Sequence, residues 1–593
     1  MKQCCILALA ACLLFVNTGC MCAYLTYQKA EEILTTTPVP TRIPEMGDLG
    51  TPSPERGETH FRDMVYTAPD LAALQEEAQA LLERAGQEGA TQEVLSCYET
   101  LLEQFNAASD QMSMSYLLYA LDVTEETWQD TYAEIHEGIL ALDVTMTDLS
   151  VALLEDETHS GAARAAWGAD FSDTVLREQD LNSLEIQELL KQEQEITFKY
   201  DALIGSYQYW EDGRGWTLEG LGEAYYAAEI SYEDYLRLYD AYTDGLNREA
   251  GAIFLELVQI RNRIATTLGY GSYAAYSYDC YGRDYTLQEA GELHQAVKEL
   301  LVPLYQSAVS QSAELYLLNQ QSFGLEGFLA TLQQVTGDFA PEVQEALNYM
   351  LRNGLYDFEE TDEKMEGAFT TYLGAYEAPF ILSHWTGSAQ DVRTVIHELG
   401  HFTHYYSAGG GGWSCNDPLD LAEVDSQGLE LLLSSYDNFF FGRNVNAATL
   451  ELLNDAMYAV ISGCMEDEFQ QEVYGNPDMT LEQMNDLYLG LAKEYGFYQL
   501  YGYTGKEWVM IPHTFQSPLY YISYATSMVM ALELWQEGQA DFDAAREAYL
   551  SVLKRPAYSE FRKTALETGL MDPLSREAVE GIAKALEKRI FDN

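Results

Sequence analysis

Residues 391–406 read DVRTVIHELGHFTHYY. Inside this stretch His397, Glu398, Leu399, Gly400 and His401 match the pattern H-E-x-x-H on a helix. Residues four apart share one helix face, so both imidazoles can bind a single zinc ion. Glu398 is rotated about 100° from His397 and reaches the attacking water rather than the metal. The plain alternative is two helix-surface histidines beside an unrelated glutamate. A hydrolytic zinc site needs a third protein ligand. A third histidine at H-x-x-G-x-x-H spacing is absent, because positions 404 and 407 are His and Ser. That leaves a carboxylate from the following segment: Asp417, Asp420, Glu423, Asp425 or Glu430. Glu423 lies near the start of a helical run, LAEVDSQGLELLLSS, which also carries Gln427 and Glu430. Position alone leaves two or three candidates.

Working outward, Phe369–Gly387 (FTTYLGAYEAPFILSHWTG) has β-branched and aromatic residues bounded by Gly and Pro, and predicts one or two strands with turns. Ile381–Trp385 reads as an edge strand able to pair with an extended peptide, or as a strand that only supports the motif helix. Elsewhere the rhythm is helical. Leu71, Leu74, Ala78, Leu81 and Leu82 fall at helical spacing, with Glu76, Glu77 and Glu83 opposite. Similar stripes run through 91–106, 125–155, 180–201, 217–265 and 541–593. The expected fold is therefore mostly α-helical, with a small β-sheet beside the motif helix.

The N-terminus reads as an export signal: Lys2, an apolar run from Cys4 to Val16, then Asn17-Thr18-Gly19-Cys20. It resembles a bacterial lipoprotein leader over residues 1–22, with Cys20 as the lipidated residue. An uncleaved anchor over Cys4–Leu25 and a secreted form are the alternatives. Each puts the body of the chain outside the cytoplasm, and membrane attachment would run only through this leader. Residues 23–58 include a Thr/Pro-rich stretch that reads as a stiffened tether. Beyond the leader the cysteines are Cys97, Cys280, Cys415 and Cys464. They form no close pair, so they predict buried free thiols rather than a disulfide framework.

The 593 residues carry 32 Lys+Arg against 95 Asp+Glu, a net charge of −63. A field this negative repels phosphate backbones, which excludes nucleic acid as a partner. Between Glu377 and Glu430 eight acidic residues face the single Arg393. Glu377, Asp391, Asp417, Asp420, Asp425 and Glu430 are left after Glu398 and Glu423, and read as steering for cationic peptides or as a solvated exterior.

Residues 377–433 resemble the active-site region of oligoendopeptidase F and its thimet-oligopeptidase-like relatives, whose pattern is H-E-x-G-H-x-x-H followed by E-x-x-S-Q. Here those positions are His397, Glu398, Gly400, His401 and His404, then Glu423, Ser426 and Gln427. The likeness extends to IRNRIATTLGYGSYAAYSYDCYGRDYT (260–286) and the C-terminal helices. It implies that Glu423 is the third ligand of one zinc ion and that His404 is a packing residue behind the site. It also implies a two-lobed helical fold with a deep substrate channel, 59–200 forming the N-terminal helical domain and 201–593 the catalytic domain. The segment HTFQSPLYYISYAT (513–526) resembles the family's substrate-contacting loop. On that match His513, Tyr524 and Tyr521 would hold the carbonyl oxygen as it becomes an oxyanion. His384 stands where many relatives carry Asn. The run Gly409–Gly412 reads as a flexible loop near the cleft or as a linker ending the helix.

The implied activity is zinc-dependent endopeptidase cleavage of short peptides, with Glu398 as general base. A zinc carboxypeptidase or dipeptidase is the alternative within the same chemistry. It needs a cation for the substrate's terminal carboxylate, and Arg393 is the main one nearby. A non-catalytic peptide-binding lipoprotein is the alternative outside it, and its signature would be loss of Glu398 or a ligand. The oligomeric state is not encoded in any of these features.

Overall fold

The computed structural model describes residues 59–591, apart from 86–90, 157–158, 168–171, 173–174, 176–182, 311–317, 319–320, 409–417 and 557–558. The leader, Cys20, the tether, Cys415, Asp417 and the Gly409–Gly412 run therefore lie outside the described residues.

Short polar residues start many of the helices. The side chains of Ser183, Thr217, Ser231, Ser272 and Asp541 each accept a backbone N–H in the first turn of the helix that follows. Thr286 and Thr480 form reciprocal capping boxes with Glu289 and Gln483. The stripe over 217–265 is two helices, Leu218–Tyr226 and Tyr232–Thr267. The break follows from Ser231 capping the second helix and from Ala228, whose φ of 55° no α-helix accepts.

The helical rhythm is also interrupted where the sequence reading places no strand. β1 (Tyr209–Glu211) and β2 (Arg214–Trp216) form an antiparallel hairpin. Asp212 and Gly213 supply its two-residue turn with φ of 52° and 83°. Asp-Gly is the pair that a turn with two left-handed residues prefers.

The second sheet has three strands in the order β3 (Tyr356–Asp357), β5 (Ala378–Leu382) and β4 (Phe369–Leu373). β4 and β5 are the strand pair expected within 369–387, antiparallel with Thr370 opposite Ile381. The edge assignment of Ile381–Trp385 is wrong, however. Ile381 and Leu382 pair with β4 on one side and with Tyr356 and Asp357 of β3 on the other. Ser383 and Trp385 continue that second contact by donating to the carbonyls of Asp357 and Phe358. β5 is therefore central, and β3 and β4 are the two edge strands among the described residues. Pro379 lies beyond the two-residue reach of β3, where its missing N–H breaks no bond to that strand.

Two large apolar cores result among the described residues. The smaller draws on Ala78, Leu101, Phe105, Leu142 and Leu149. The larger runs from Met114 to Leu586 and includes Ile381, Val395, Leu399, Leu429 and Ile461. Helix Thr91–Leu121 serves both, giving Phe105 and Met112 to the first and Leu117 and Ala120 to the second. It also packs onto β4, where Tyr116 lies 5.4 Å from Phe369 between ring centres. Of the cysteines expected to be buried, Cys464 is fully buried, whereas Cys97 and Cys280 are only half-buried. No helix among the described residues is long and apolar enough to cross a membrane.

Candidate metal centre

The motif helix, Ala389–Ala408, begins at a turn built by Asp391. Its carboxylate accepts the N–H groups of Thr386, Gly387 and Ser388 and the Ser388 hydroxyl. The Ser388 hydroxyl in turn accepts the Asp391 N–H, one of the donors that a helix N-terminus leaves unpaired. β4 and β5 pack beneath the helix.

The motif helix crosses a second helix, Leu419–Leu433, at Gly400. A Cβ at Gly400 would lie 2.3 Å from the Asp425 carbonyl oxygen and 2.6 Å from Ser426 Cα. Only a residue without a side chain permits this approach, and it brings Glu423 up to the two histidines. His397 Nε2 is 3.4 Å and His401 Nε2 3.8 Å from Glu423 Oε2. The two imidazole centres are 5.1 Å apart. One donor atom from each of the three residues fits within a 4.8 Å span, and this is the one such His/Cys/Asp/Glu group among the described residues. Zinc–ligand bonds of about 2.0–2.1 Å in a tetrahedron separate ligand atoms by roughly 3.3–3.4 Å, so two imidazoles and one carboxylate suit this metal.

Two of the three candidate ligands are held from behind. Glu430 Oε1 lies 2.7 Å from His397 Nδ1, an acceptor that would leave Nε2 to bind a metal, while in the metal-free ring Nε2 hydrogen-bonds Glu423. The Ser426 hydroxyl lies 3.2 Å from Glu423 Oε2. Burial pushes the Glu423 carboxyl up, but the His397 hydrogen bond and the charges of His401 and His397 outweigh it and bring the pKa to about 2. Glu398 is buried, and the Thr370 hydroxyl on β4 sits 2.7 Å from its Oε2.

The other carboxylates near the motif have different work. Asp425 is buried in a bidentate pair with Arg555, at 2.6 and 2.9 Å. Asp420 is buried and accepts from Tyr285 and Thr526. With Asp391 at its turn and Glu430 on His397, four of the six acidic residues considered for steering have structural partners. Asp391, Asp420 and Asp425 are buried, so neither a steering surface nor a solvated exterior describes them. Arg393 is likewise committed, forming two bonds of 2.8 and 2.7 Å to Asp437 in the interior. His404 turns away from the cluster, its Nδ1 3.0 Å from the Leu553 carbonyl oxygen. His384 contacts the Met365 carbonyl at 2.9 Å and Glu360 at 3.2 Å.

His513, Tyr521 and Tyr524 come together as a second group. The His513 ring centre is 5.0 Å from Tyr521 and 6.0 Å from Tyr524. Tyr520, 5.5 Å from His513, belongs to the same group. Leu419, one helical turn before Glu423, packs against Tyr281, Tyr520 and Tyr524, which puts this group beside the ligand-bearing helix. The connecting loop is tightly held. Leu519 is buried with a left-handed φ of 63°, its N–H donating to Gln470 and its carbonyl accepting from Arg283. Tyr281 and Ser277 donate to the Pro518 carbonyl. Burial, then Tyr458 and Glu466, raise the Tyr521 hydroxyl well above its ordinary pKa, so it remains a proton donor.

Two contributors are absent from the sequence reading: Thr370 as a partner of Glu398, and Glu430 as a brace rather than a ligand candidate. Thr370 is 28 residues from Glu398 and carries no local signal.

Comparison with known proteins places this geometry in a family. Oligoendopeptidase F (chromosomal) of Lactococcus lactis subsp. cremoris is 26% identical over 284 residues, 44% of either chain. Oligopeptidase PepF of Bacillus subtilis is 28% identical over 262 residues, 42% of this chain and 38% of that one. The chain thus matches less than half the length of these relatives. In fold, a structure of PZ peptidase A with an inhibitor superposes with a TM-score of 0.73 at 21% identity, over 90% of this chain and 99% of that one. Oligoendopeptidase-F from Enterococcus faecium gives a TM-score of 0.60 at 15% identity, over 88% and 97% of the two chains. The mostly helical fold with small sheets is the one these structures share. The model of peptidase family M3 matches residues 283–581, just over half of the chain, with His397, Glu398, His401, Glu423, His513, Tyr521 and Tyr524 inside the match, and the chain belongs to that family.

Proposed function

We propose that this protein is a zinc metalloendopeptidase that hydrolyses internal bonds of short oligopeptides, on the extracytoplasmic side of a membrane. The observation that carries the reading is the convergence of His397, His401 and Glu423 within 4.8 Å, next to a buried Glu398. Those three residues would hold one zinc ion, which when bound polarises the scissile carbonyl and acidifies the attacking water. Glu398 takes the proton from the water and returns it to the leaving amine. His513, Tyr521 and Tyr524 donate to the carbonyl oxygen as negative charge develops. Selection for short peptides would be steric, through a channel of the kind the resemblance implies. Attachment rests on the leader reading, with Cys20 as the lipidated residue.

A carboxypeptidase reading loses its main support, because Arg393 is buried against Asp437 and does not reach a substrate carboxylate. A non-catalytic peptide-binding role is disfavoured by the presence of Glu398 and all three ligand residues. The test is Glu398→Gln. The variant should retain zinc at wild-type stoichiometry and lose peptide cleavage, and chelation should silence the wild type. Undiminished cleavage by the variant would remove Glu398 from its role.

A further inference from the structure

Glu398 is the most demanding side chain of the proposed chemistry, since one of its oxygens must face the attacking water throughout the cycle. A glutamate has three rotatable side-chain bonds and loses about 1.5–2 kcal/mol of rotamer freedom when fixed. The neighbouring turns of its own helix do not supply the restraint. The hydrogen bond to its carboxylate comes from another element, β4. Thr370 Oγ1 lies 2.7 Å from Glu398 Oε2 and 3.0 Å from the Glu398 backbone carbonyl oxygen. Thr370 and Glu398 are both buried. No group among the described residues hydrogen-bonds Glu398 Oε1.

We infer that Thr370 is the positioning residue for Glu398, engaging Oε2 and leaving Oε1 as the oxygen that receives the proton. This rests on the reading of Glu398 as general base. A threonine hydroxyl has one proton and two acceptor lone pairs. It donates to Oε2 while Glu398 is a carboxylate, and the Glu398 backbone carbonyl stands ready as its second acceptor. Position matters as much as chemistry. Thr370 belongs to a strand that is paired with β5 along its whole length, from Phe369 opposite Leu382 to Leu373 opposite Ala378. Its hydroxyl is thus anchored to a sheet, and orientation of the base follows the seating of the motif helix on that sheet. A catalytic group held this way gains from preorganisation, because a misplacement near 1 Å costs about 10²-fold in rate.

The test compares Thr370→Val, which keeps the shape and removes the donor, with Thr370→Ser, which keeps the donor. Zinc stoichiometry and melting temperature are measured first. Then kcat and KM are measured on a fluorogenic peptide, beside wild type and Glu398→Gln. Thr370→Val should bind zinc normally and lose kcat by about 10- to 100-fold with KM within about twofold, and Thr370→Ser should restore most of kcat. Equal losses in the two variants, a loss confined to KM, or full activity of Thr370→Val would overturn the assignment. A crystal structure of Thr370→Val supplies an arm independent of turnover. The Glu398 carboxylate should leave its wild-type position, and an unmoved carboxylate would also overturn it. A wild type that binds zinc but cleaves nothing would count against the proposed function alone, with the crystallographic arm still deciding Thr370.

Discussion

Replacing Glu430 with Ala removes the group behind His397 without touching the three proposed ligands. In the wild type, Glu430 Oε1 is 2.7 Å from His397 Nδ1, within the range of charge-assisted bonds. The two side chains retain 14% and 27% of their surface, so water can partly replace the lost acceptor. Carboxylates in this position are typically worth 10- to 100-fold in metal affinity. The partial exposure places this one in the lower half, at about 10- to 30-fold, or roughly 1.4–2 kcal/mol. An opposing effect sets the pH dependence. Burial lowers the pKa of His397, but hydrogen bonds and charge from Glu423 and Glu430 outweigh it and carry the metal-free ring well above its ordinary range. Protons therefore compete with zinc more strongly in wild type than in the variant, and more so in acid. The affinity ratio between the two proteins should be largest near pH 8 and shrink toward pH 6. Competition titration with a zinc indicator reads both quantities. Unchanged affinity at pH 8 would refute the bracing role, and a loss as large as that of Glu423→Ala would make Glu430 a ligand.

Three further outcomes follow from the same geometry. Gly400→Ala should drive the motif helix off the Asp425 carbonyl and Ser426 Cα, lowering stability by about 3 kcal/mol and weakening zinc binding. Calorimetry and the indicator titration check this, and wild-type values in both would contradict it. Burial raises the Glu533 carboxyl to about 8, while Met571 N–H lowers it and Asp572 raises it. The wild type therefore loses stability as pH climbs from the unfolded range near 4.5 through 8. Glu533→Gln should match wild type at pH 4 and exceed it by on the order of 2 kcal/mol at pH 9. A melting-temperature difference independent of pH would reject that account. Gly213→Val meets no neighbour within 4 Å but must adopt a φ of 83°, so it should lower stability by about 1–2 kcal/mol and leave zinc affinity alone. An unaltered melting temperature would speak against the turn.

Much of this molecule is local and therefore legible in sequence. Spacing alone puts His397 and His401 on one face, and the Phe369–Gly387 composition marks strands. The proposed third ligand is harder, because five carboxylates lie within 417–430 and all sit within reach along the chain. What separates them is where two helices cross. That depends on the missing side chain of Gly400 and on partners such as Arg555, which pairs with Asp425 from 130 residues away. The edge reading of Ile381–Trp385 fails for a related reason. β3 is two residues long, too short to leave a periodic signal, yet it turns β5 from an edge into a centre. The hairpin at 209–216 did carry a signal, Asp212-Gly213 between aromatic residues, but its three-residue strands are hidden between strong helical stripes. Thr370 is different again, since its role exists only once β4 is seated beneath the motif helix.

The central claim is that this metal centre cuts peptides internally. Incubating the purified protein with a mixed library of short peptides, with and without chelator and beside Glu398→Gln, tests it most directly by mass spectrometry. Internal cuts that vanish with chelator and with the variant are the predicted result. Removal of single terminal residues, or cleavage indifferent to both treatments, would contradict it.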